Sequence, residues 1–221
     1  MFSVAISALP VGSLFAQTLP LDPPARVGRV GELKGTVSFH LADADRWDAA
    51  MPNLPVTTGS AFWVEPNASA ELGIERDRIV LDGATELDIT RLDDQSLIAN
   101  LPEGSAYLNV RDFAPGSAYT IQTPRGLISI VAVGRYEIVA GNTERPTTVS
   151  VIDGTVQLTS NNIALQLNAN QTATIIGDGT STPFRASVGA FQRDRFVTAM
   201  LASEQVPVRR TGAAPLPSSR K

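Results

Sequence analysis

Residues 70–89 read AELGIERDRIVLDGATELDI, and this stretch decides the fold. Apolar and polar residues alternate in it, as in Ala70-Glu71-Leu72 and Leu87-Asp88-Ile89. A period of two places one set of side chains in a core and the other in solvent, which is typical of a β-strand. The Asp-Gly pair at 82–83 is a turn signal between two such runs. The stretch therefore predicts short strands joined by tight turns.

The same pattern extends in both directions, from about Val27 to Ile176, and no helical period interrupts it. Alternating runs occur at Val37-Ser38-Phe39, Ala106 to Val110, Tyr136-Glu137-Ile138, Val149-Ser150-Val151 and Thr172 to Ile175. We therefore predict an all-β fold for residues 27–176. The strands are short and either antiparallel or solenoid-like, in an elongated stack that is β-helix-like or sandwich-like.

A weak internal repeat supports a stacked arrangement. Gly35-Thr36-Val37-Ser38-Phe39 and Gly154-Thr155-Val156-Gln157-Leu158 are nearly the same pentapeptide, and looser copies begin at Gly104 and Gly126. In each copy a glycine precedes an alternating strand, and glycine adopts the positive φ that tight turns need. Repeated turn–strand units predict one continuous elongated core.

The two ends of the chain have a different composition. Residues 1–17 are apolar and uncharged, which predicts a signal peptide, and a Pro-rich linker follows at 18–26. We expect a periplasmic or secreted protein whose mature chain has no stable transmembrane segment. Residues 177–186 indicate a linker, Ser187 to Gln205 a helix with apolar residues at helical spacing, and 206–221 a disordered tail.

Composition argues against several functional classes. The chain of 221 residues has 18 basic and 22 acidic residues, so a nucleic-acid partner is not expected. It has no cysteine and one histidine, His40, so a catalytic or metal site would depend on His40 or on carboxylates. The acidic groups at 43–48 and 93–94 are interpreted as solvated turn residues. We predict no enzymatic activity, no cofactor and no metal site.

The two tryptophans are the candidate binding residues. Trp47 and Trp63 flank a loop that contains Asn53 and two prolines. Loops on a rigid scaffold commonly carry binding, and tryptophan is a frequent anchor at interfaces. We therefore predict a partner-binding site at Trp47, Asn53 and Trp63. The alternative is that both rings fill the ends of a core that is poor in aromatic residues.

A series of short motifs follows in a specific order from Arg26 to Ile176. They are Gly35 to Phe39, Trp47-Asp48-Ala49-Ala50, Ala70-Glu71-Leu72, Thr85 to Ile89, Ile121 to Gly126, Val133 to Ile138 and Asp153-Gly154-Thr155-Val156. In this order the chain resembles the FecR-type domain, in the form found in exported proteins of Gram-negative bacteria. The resemblance implies a periplasmic β-rich domain that senses or binds another protein of the cell envelope.

Other functions are compatible with the same sequence. One is a carbohydrate-binding module or a small β-helical polysaccharide-active protein, and another is a structural component of the cell envelope. An exposed strip of aromatic and carboxylate side chains along a sheet would favour the carbohydrate alternative. A smooth surface with one apolar patch would favour protein interaction.

Overall fold

The computed structural model describes residues 26–42, 44, 46–113 and 115–205, which form two nine-stranded sheets and one helix. In spatial order, sheet A contains β18 (Arg185–Ala190), β17 (Gln171–Ile176), β14 (Thr147–Asp153), β13 (Gly134–Val139), β10 (Ser105–Val110), β7 (Asp77–Leu81), β6 (Ser69–Ile74), β1 (Gly28–Lys34) and β4 (Pro55–Val56). Sheet B contains β16 (Ile163–Asn168), β15 (Thr155–Ser160), β12 (Gly126–Ile130), β11 (Ala118–Thr123), β9 (Ser96–Glu103), β8 (Thr85–Leu92), β5 (Ala61–Val64), β2 (Val37–His40) and β3 (Asp48–Ala49). The helix, α1, spans Arg195–Gln205.

Apart from the short β3 and β4 at the first edges, the strands of each sheet lie in the order of the chain. The chain crosses repeatedly between the sheets, for example from the β6–β7 hairpin in sheet A to the β8–β9 hairpin in sheet B. Neighbouring strands are antiparallel except β9 and β11, which are parallel. Nine strands at about 4.8 Å spacing give each sheet a width of about 38 Å. The prediction of an elongated all-β fold with a C-terminal helix is confirmed.

The two sheets enclose one aliphatic core. In β6, Ala70, Leu72 and Ile74 are buried while the residues between them are partly exposed, as the alternation predicts. In β8, Leu87 and Ile89 point into the core. The core contains few aromatic rings and consists mainly of Val, Ile, Leu and Ala side chains from both sheets. One core shared by all the strand pairs explains why short hairpins suffice to build the domain.

Three of the four repeat glycines turn the chain from one sheet into the other. Gly35 lies between β1 and β2, Gly104 between β9 and β10, and Gly154 between β14 and β15. Their φ angles are +75°, +87° and +95°, a region that L side chains rarely adopt. Gly126 differs, because it begins β12 in a hairpin within sheet B. The repeat therefore marks the sharp corners of the fold.

The C-terminal boundaries differ from the sequence prediction. The predicted helix at Ser187–Gln205 is wrong in its first half, because 187–190 belong to β18, and the predicted linker 177–186 overlaps the start of that strand. Val188 and Phe191 have helical spacing, but Val188 is exposed on a strand paired with β17. Sheet A thus extends past Ile176. The predicted signal peptide (1–17), most of the Pro-rich linker (18–26) and the predicted tail (206–221) lie outside the described residues.

Helix α1 packs on the outer face of sheet A. Asp194 caps it, because its carboxylate accepts the backbone N–H of Val197 at 2.8 Å. Val197 and Leu201, one turn apart, are buried against Val80, Tyr107 and Ile152 of the sheet. This helix explains why β7, β10 and β14 bury consecutive residues instead of alternate ones. Among the described residues, no helix is long and apolar enough to cross a membrane.

A buried carboxylate lies beside the start of this helix. Glu137 is only 4% exposed, and its Oε1 has no hydrogen-bond partner among the described residues. Burial, reinforced by the nearby carboxylates of Asp194 and Asp82, raises the pKa of Glu137 to about 8 from its ordinary value of 4.5. Glu137 is therefore protonated in the folded protein at neutral pH and ionised in the unfolded chain.

We expect Glu137→Gln to remove a pH dependence of stability. Between pH 4.5 and about 8 the unfolded wild type binds fewer protons at this site than the folded protein. The free energy of unfolding should therefore fall with rising pH, by up to about 1.4 kcal/mol per pH unit from this group. Glutamine keeps the shape without the proton, so the variant should gain stability relative to wild type as pH rises. Urea unfolding of both proteins across this pH range measures the difference. If the free energy of unfolding changes with pH equally in the variant and the wild type, the prediction is wrong.

Candidate functional site

The outer face of sheet B carries one row of side chains that combines an aromatic ring with carboxylates. Cross-strand pairing places Ser38 opposite Trp63, Trp63 opposite Glu86, and Glu86 opposite Glu103. Ser38, Trp63 and Glu86 lie on the solvent side of their strands, because the residues next to them in sequence, such as Phe62 and Leu87, are buried in the core. Glu103 is exposed and pairs with Glu86 through a register shift between β8 and β9. The row crosses four neighbouring strands: β2, β5, β8 and β9.

Trp63 forms the floor of this row. The ring is half-buried, and its indole Nε1–H donates a hydrogen bond to Glu65 Oε1 at 3.0 Å. This bond restrains the ring along the strand and leaves a ring face available between Ser38 and Glu86. Trp63 is thus positioned by the sheet and by one polar contact rather than by enclosure in the core.

Trp47 provides a wall of the same site. It precedes β3, is 43% exposed, and packs edge-on against the His40 ring with 4.5 Å between ring centroids. The residues Ser38, Trp47, Trp63, Glu86 and Glu103 line a groove of about 410 Å³. We call this cavity the tryptophan groove. The structure brings the two predicted tryptophans together at one site.

The tryptophan groove is lined by more acidic than basic side chains. Burial raises the pKa of Glu86, and the carboxylates of Asp88 and Glu103 raise it further, while His40 acts in the opposite direction. Burial also raises the pKa of Asp88. The ion pairs found among the described residues involve none of Glu86, Asp88 and Glu103. Three carboxylates thus lie in or beside the groove without an arginine or lysine within ion-pair distance among the described residues, and Arg46, which precedes Trp47, is paired with Asp48 instead.

Asn53, the third predicted site residue, lies elsewhere. It occupies the turn between β3 and β4 with φ of +67°, and its backbone N–H donates to Val30 O at 2.7 Å. The described lining of the tryptophan groove does not include it. Asparagine tolerates a left-handed conformation better than most residues, so its position is explained by the turn. The turn therefore accounts for Asn53. The candidate site consists of the two tryptophans together with Ser38, Glu86 and Glu103.

Neither tryptophan fills the end of the core, which was the alternative interpretation. The two buried clusters of the described residues contain neither ring. Exposed apolar side chains are also concentrated near Trp47: Leu41 is 45% and Met51 is 63% exposed. Within the segment 41–51, three large apolar side chains thus face solvent. A concentration of this kind is typical of an interaction surface.

Sequence reasoning missed Ser38, Glu86 and Glu103. Ser38 and Glu86 occupy outward positions of alternating runs, which was a usable signal for exposure, whereas the alternation in β9 stops before Glu103. Their proximity to Trp63 depends on strand order and register, which alternation alone does not give. Among the described residues, no group of three or more His, Asp or Glu side chains is arranged to hold a metal ion.

The remaining buried polar groups brace the fold. Arg125 donates to the carbonyl oxygens of Gly177, at 2.7 Å, and Asn142, and thereby ties two loops to the β11–β12 hairpin. Arg26 and Asp77 form a buried ion pair, with N–O distance 3.3 Å, that ties the start of the described chain to β7. The hydrogen bonds and the ion pair of these groups join parts of the same chain, although Arg26 Nε has no hydrogen-bond partner among the described residues. They therefore stabilise the fold, and the tryptophan groove is the main candidate for binding.

Comparison with known proteins gives a match in structure alone. No family model matches the sequence, and no curated protein sequence matches it. The chain is similar in fold to a candidate anti-sigma factor. Two crystal structures of such a protein from Parabacteroides distasonis superpose with a TM-score of 0.52, at 18% and 17% sequence identity. The match covers 64% of this chain and 63% and 64% of those chains, so it spans just under two thirds of their length. At this identity the likeness concerns the fold.

Proposed function

We propose that this protein is a non-enzymatic binding module of the cell envelope, which recognises a protein partner through the tryptophan groove. The observation that carries the proposal is the pairing of Trp47 and Trp63 in one solvent-accessible groove, outside both buried clusters. Exposed aromatic rings on a rigid sheet are typical anchors of protein interfaces. The segment that carries Trp47 also exposes the apolar side chains of Leu41 and Met51.

Two further observations support a sensory or regulatory role. The order of the sequence motifs resembles FecR-type domains, which implies a periplasmic protein that responds to an envelope partner. The solved neighbours in fold are described as candidate anti-sigma factors. The uncharged segment at 1–17 supports export as part of the same proposal.

A second candidate function is carbohydrate binding. The groove combines two tryptophan rings with the carboxylates of Glu86 and Glu103, which is the arrangement that would favour this alternative. Aromatic faces can stack on sugar rings, and carboxylates can accept hydrogen bonds from hydroxyl groups. A protein partner is favoured because the groove is open and the segment that carries Trp47 also exposes the aliphatic side chains of Leu41 and Met51, which sugars do not need.

Site-specific photo-cross-linking in cells of the native host tests the proposed function. A photoreactive amino acid at Ser38, in the groove, should form an adduct with a discrete protein, which mass spectrometry identifies. Ser129 is the matched control, because it is also a half-buried serine on the outer face of sheet B but lies five strands away. An adduct from Ser129 alone, or a polysaccharide adduct from Ser38, would contradict the proposal.

A further inference from the structure

We propose that the tryptophan groove recognises a cationic side chain, an arginine or lysine of the protein partner, held between the two indole rings and the carboxylates of Glu86 and Glu103. This inference rests on the proposed function, since it specifies the chemistry of the partner at the same site. It also predicts which charge on a partner surface will face sheet B.

The first argument is charge complementarity. Glu86 and Glu103 face each other across β8 and β9, and Asp88 lies one outward position further along β8. These carboxylates have no arginine or lysine within ion-pair distance among the described residues. Like charges at this spacing repel one another, and an incoming cation would relieve that repulsion. Elsewhere on the described surface, carboxylates such as Asp153 already have an arginine partner.

The second argument is the position of the two aromatic rings. A guanidinium or ammonium group binds favourably over the face of tryptophan, which is the best aromatic partner for a cation. The bond from Trp63 to Glu65 and the contact of Trp47 with His40 hold both rings in place before any ligand arrives. The groove of about 410 Å³ is large enough for the end of a long side chain. An arginine could stack on an indole and donate hydrogen bonds to the carboxylates at the same time.

A neutral sugar fits these observations less well. It can stack on Trp47 or Trp63, but it leaves the charges of Glu86 and Glu103 uncompensated in a groove where burial already raises the pKa of Glu86. A cation uses both features of the site, the rings and the charge. The observations therefore favour a basic protein surface, and sugar binding becomes an alternative outcome of the test.

The chain provides a specific spectroscopic probe, because its only two tryptophans are both in the groove. Their two indole N–H signals in a ¹⁵N-correlated NMR spectrum are assigned with Trp63→Phe. Three probes are titrated: acetyl-Gly-Ser-Arg-Ser-Gly-amide, the same peptide with citrulline in place of arginine, and cellohexaose. We expect the arginine peptide to shift both indole signals in a salt-sensitive manner, and the citrulline peptide to bind roughly tenfold more weakly.

The double variant Glu86→Gln/Glu103→Gln should weaken binding of the arginine peptide by at least roughly tenfold. The control Asp94→Asn/Glu144→Gln removes the same charge from two exposed carboxylates outside the groove and should leave binding unchanged. Equal binding of the arginine and citrulline peptides, no binding of either, a response to cellohexaose alone, or no effect of the groove variant would overturn the inference. If the cross-linked partner still needs Trp47 but not the two glutamates, the proposed function stands and the cation assignment fails.

Discussion

Gly154→Ala is expected to destabilise the protein by at least about 3 kcal/mol, a large fraction of the roughly 5–15 kcal/mol by which native domains are stable. Gly154 turns the chain from β14 into β15 with φ of +95°, where an alanine costs about 1–2 kcal/mol from strain alone. An added Cβ would lie 2.0 Å from the Tyr136 hydroxyl oxygen and 2.7 Å from Val133 O. Tyr136 is fully buried and donates its hydroxyl proton to Ala132 O at 2.7 Å, so the ring cannot move aside without breaking that bond.

Gly116→Ala is the control that separates the cost of backbone strain from the cost of the steric clash. Gly116 has nearly the same φ, +88°, but an added Cβ there meets nothing within 4 Å. This control should cost only the conformational strain. Urea unfolding of both variants gives their free energies of unfolding. If the two substitutions lower this free energy by similar amounts, the added Cβ at Gly154 does not clash with Tyr136 and Val133, and the prediction is wrong.

Asp77→Ala is expected to reduce the free energy of unfolding by about 3–5 kcal/mol, because it removes the buried partner of Arg26 and leaves this buried charge paired only with the exposed carboxylate of Glu75, at 3.4 Å. Asp77 and Arg26 are 5% and 4% exposed, and their side chains are 3.3 Å apart. The Asp77 carboxylate also accepts hydrogen bonds from the Tyr119 hydroxyl, at 2.6 Å, and from the backbone N–H of Arg111, at 2.8 Å. The backbone N–H of Asp112 also donates to this carboxylate. Removing the carboxylate therefore leaves four hydrogen-bond donors without their acceptor: the Arg26 guanidinium, the Tyr119 hydroxyl and the backbone N–H groups of Arg111 and Asp112.

Asp112→Ala is the control for this prediction. Asp112 is exposed, and only its backbone N–H contributes to the cluster, so its truncation should change stability by less than about 0.5 kcal/mol. Thermal and urea unfolding measure both variants. If Asp77→Ala unfolds with the same midpoint as wild type, the cluster around Arg26 does not stabilise the fold.

The fold class could be predicted from local pattern, but its boundaries could not. Alternation in segments such as Ala70-Glu71-Leu72 reports which side of a strand faces a core, and the structure agrees. The pattern does not report what covers the outer face. Val80 and Tyr107 interrupt the alternation because α1 packs on them. The residues next to them in sequence do not predict that contact. Val188 was wrongly assigned to a helix because its spacing from Phe191 is helical, although it lies exposed on a strand paired with β17.

Two of the motifs that carried the family resemblance stabilise the fold. Arg135 of one motif forms an ion pair with Asp153 of another, and the Tyr136 hydroxyl accepts the backbone N–H of Thr155 at 3.2 Å. These motifs meet at the corner made by Gly154. They therefore stabilise this corner of the fold, whereas the motifs at 47–50 and 85–89 contribute Trp47 and Glu86 to the tryptophan groove.

The candidate site could be predicted only in part, because local sequence pattern does not report which strands lie next to each other. Trp47 and Trp63 stood out by their rarity, and the structure places them in one groove. Glu86 and Glu103 belong to the groove through the pairing of β8 with β9, a relation that depends on register over many residues. Asn53 was included because it lies between the tryptophans in sequence, but a turn carries it away from the groove.

The affinity of purified Trp47→Ala for the cross-linked partner, measured together with its melting temperature, tests the central claim most directly. Trp47 is 43% exposed and outside both buried clusters, so its truncation should change the melting temperature little. If the ring is an interface anchor, the loss is about 2 kcal/mol or more, which is roughly thirtyfold in affinity. Weakened binding with an unchanged melting temperature is the result we predict. Unchanged affinity would contradict a binding role for the tryptophan groove.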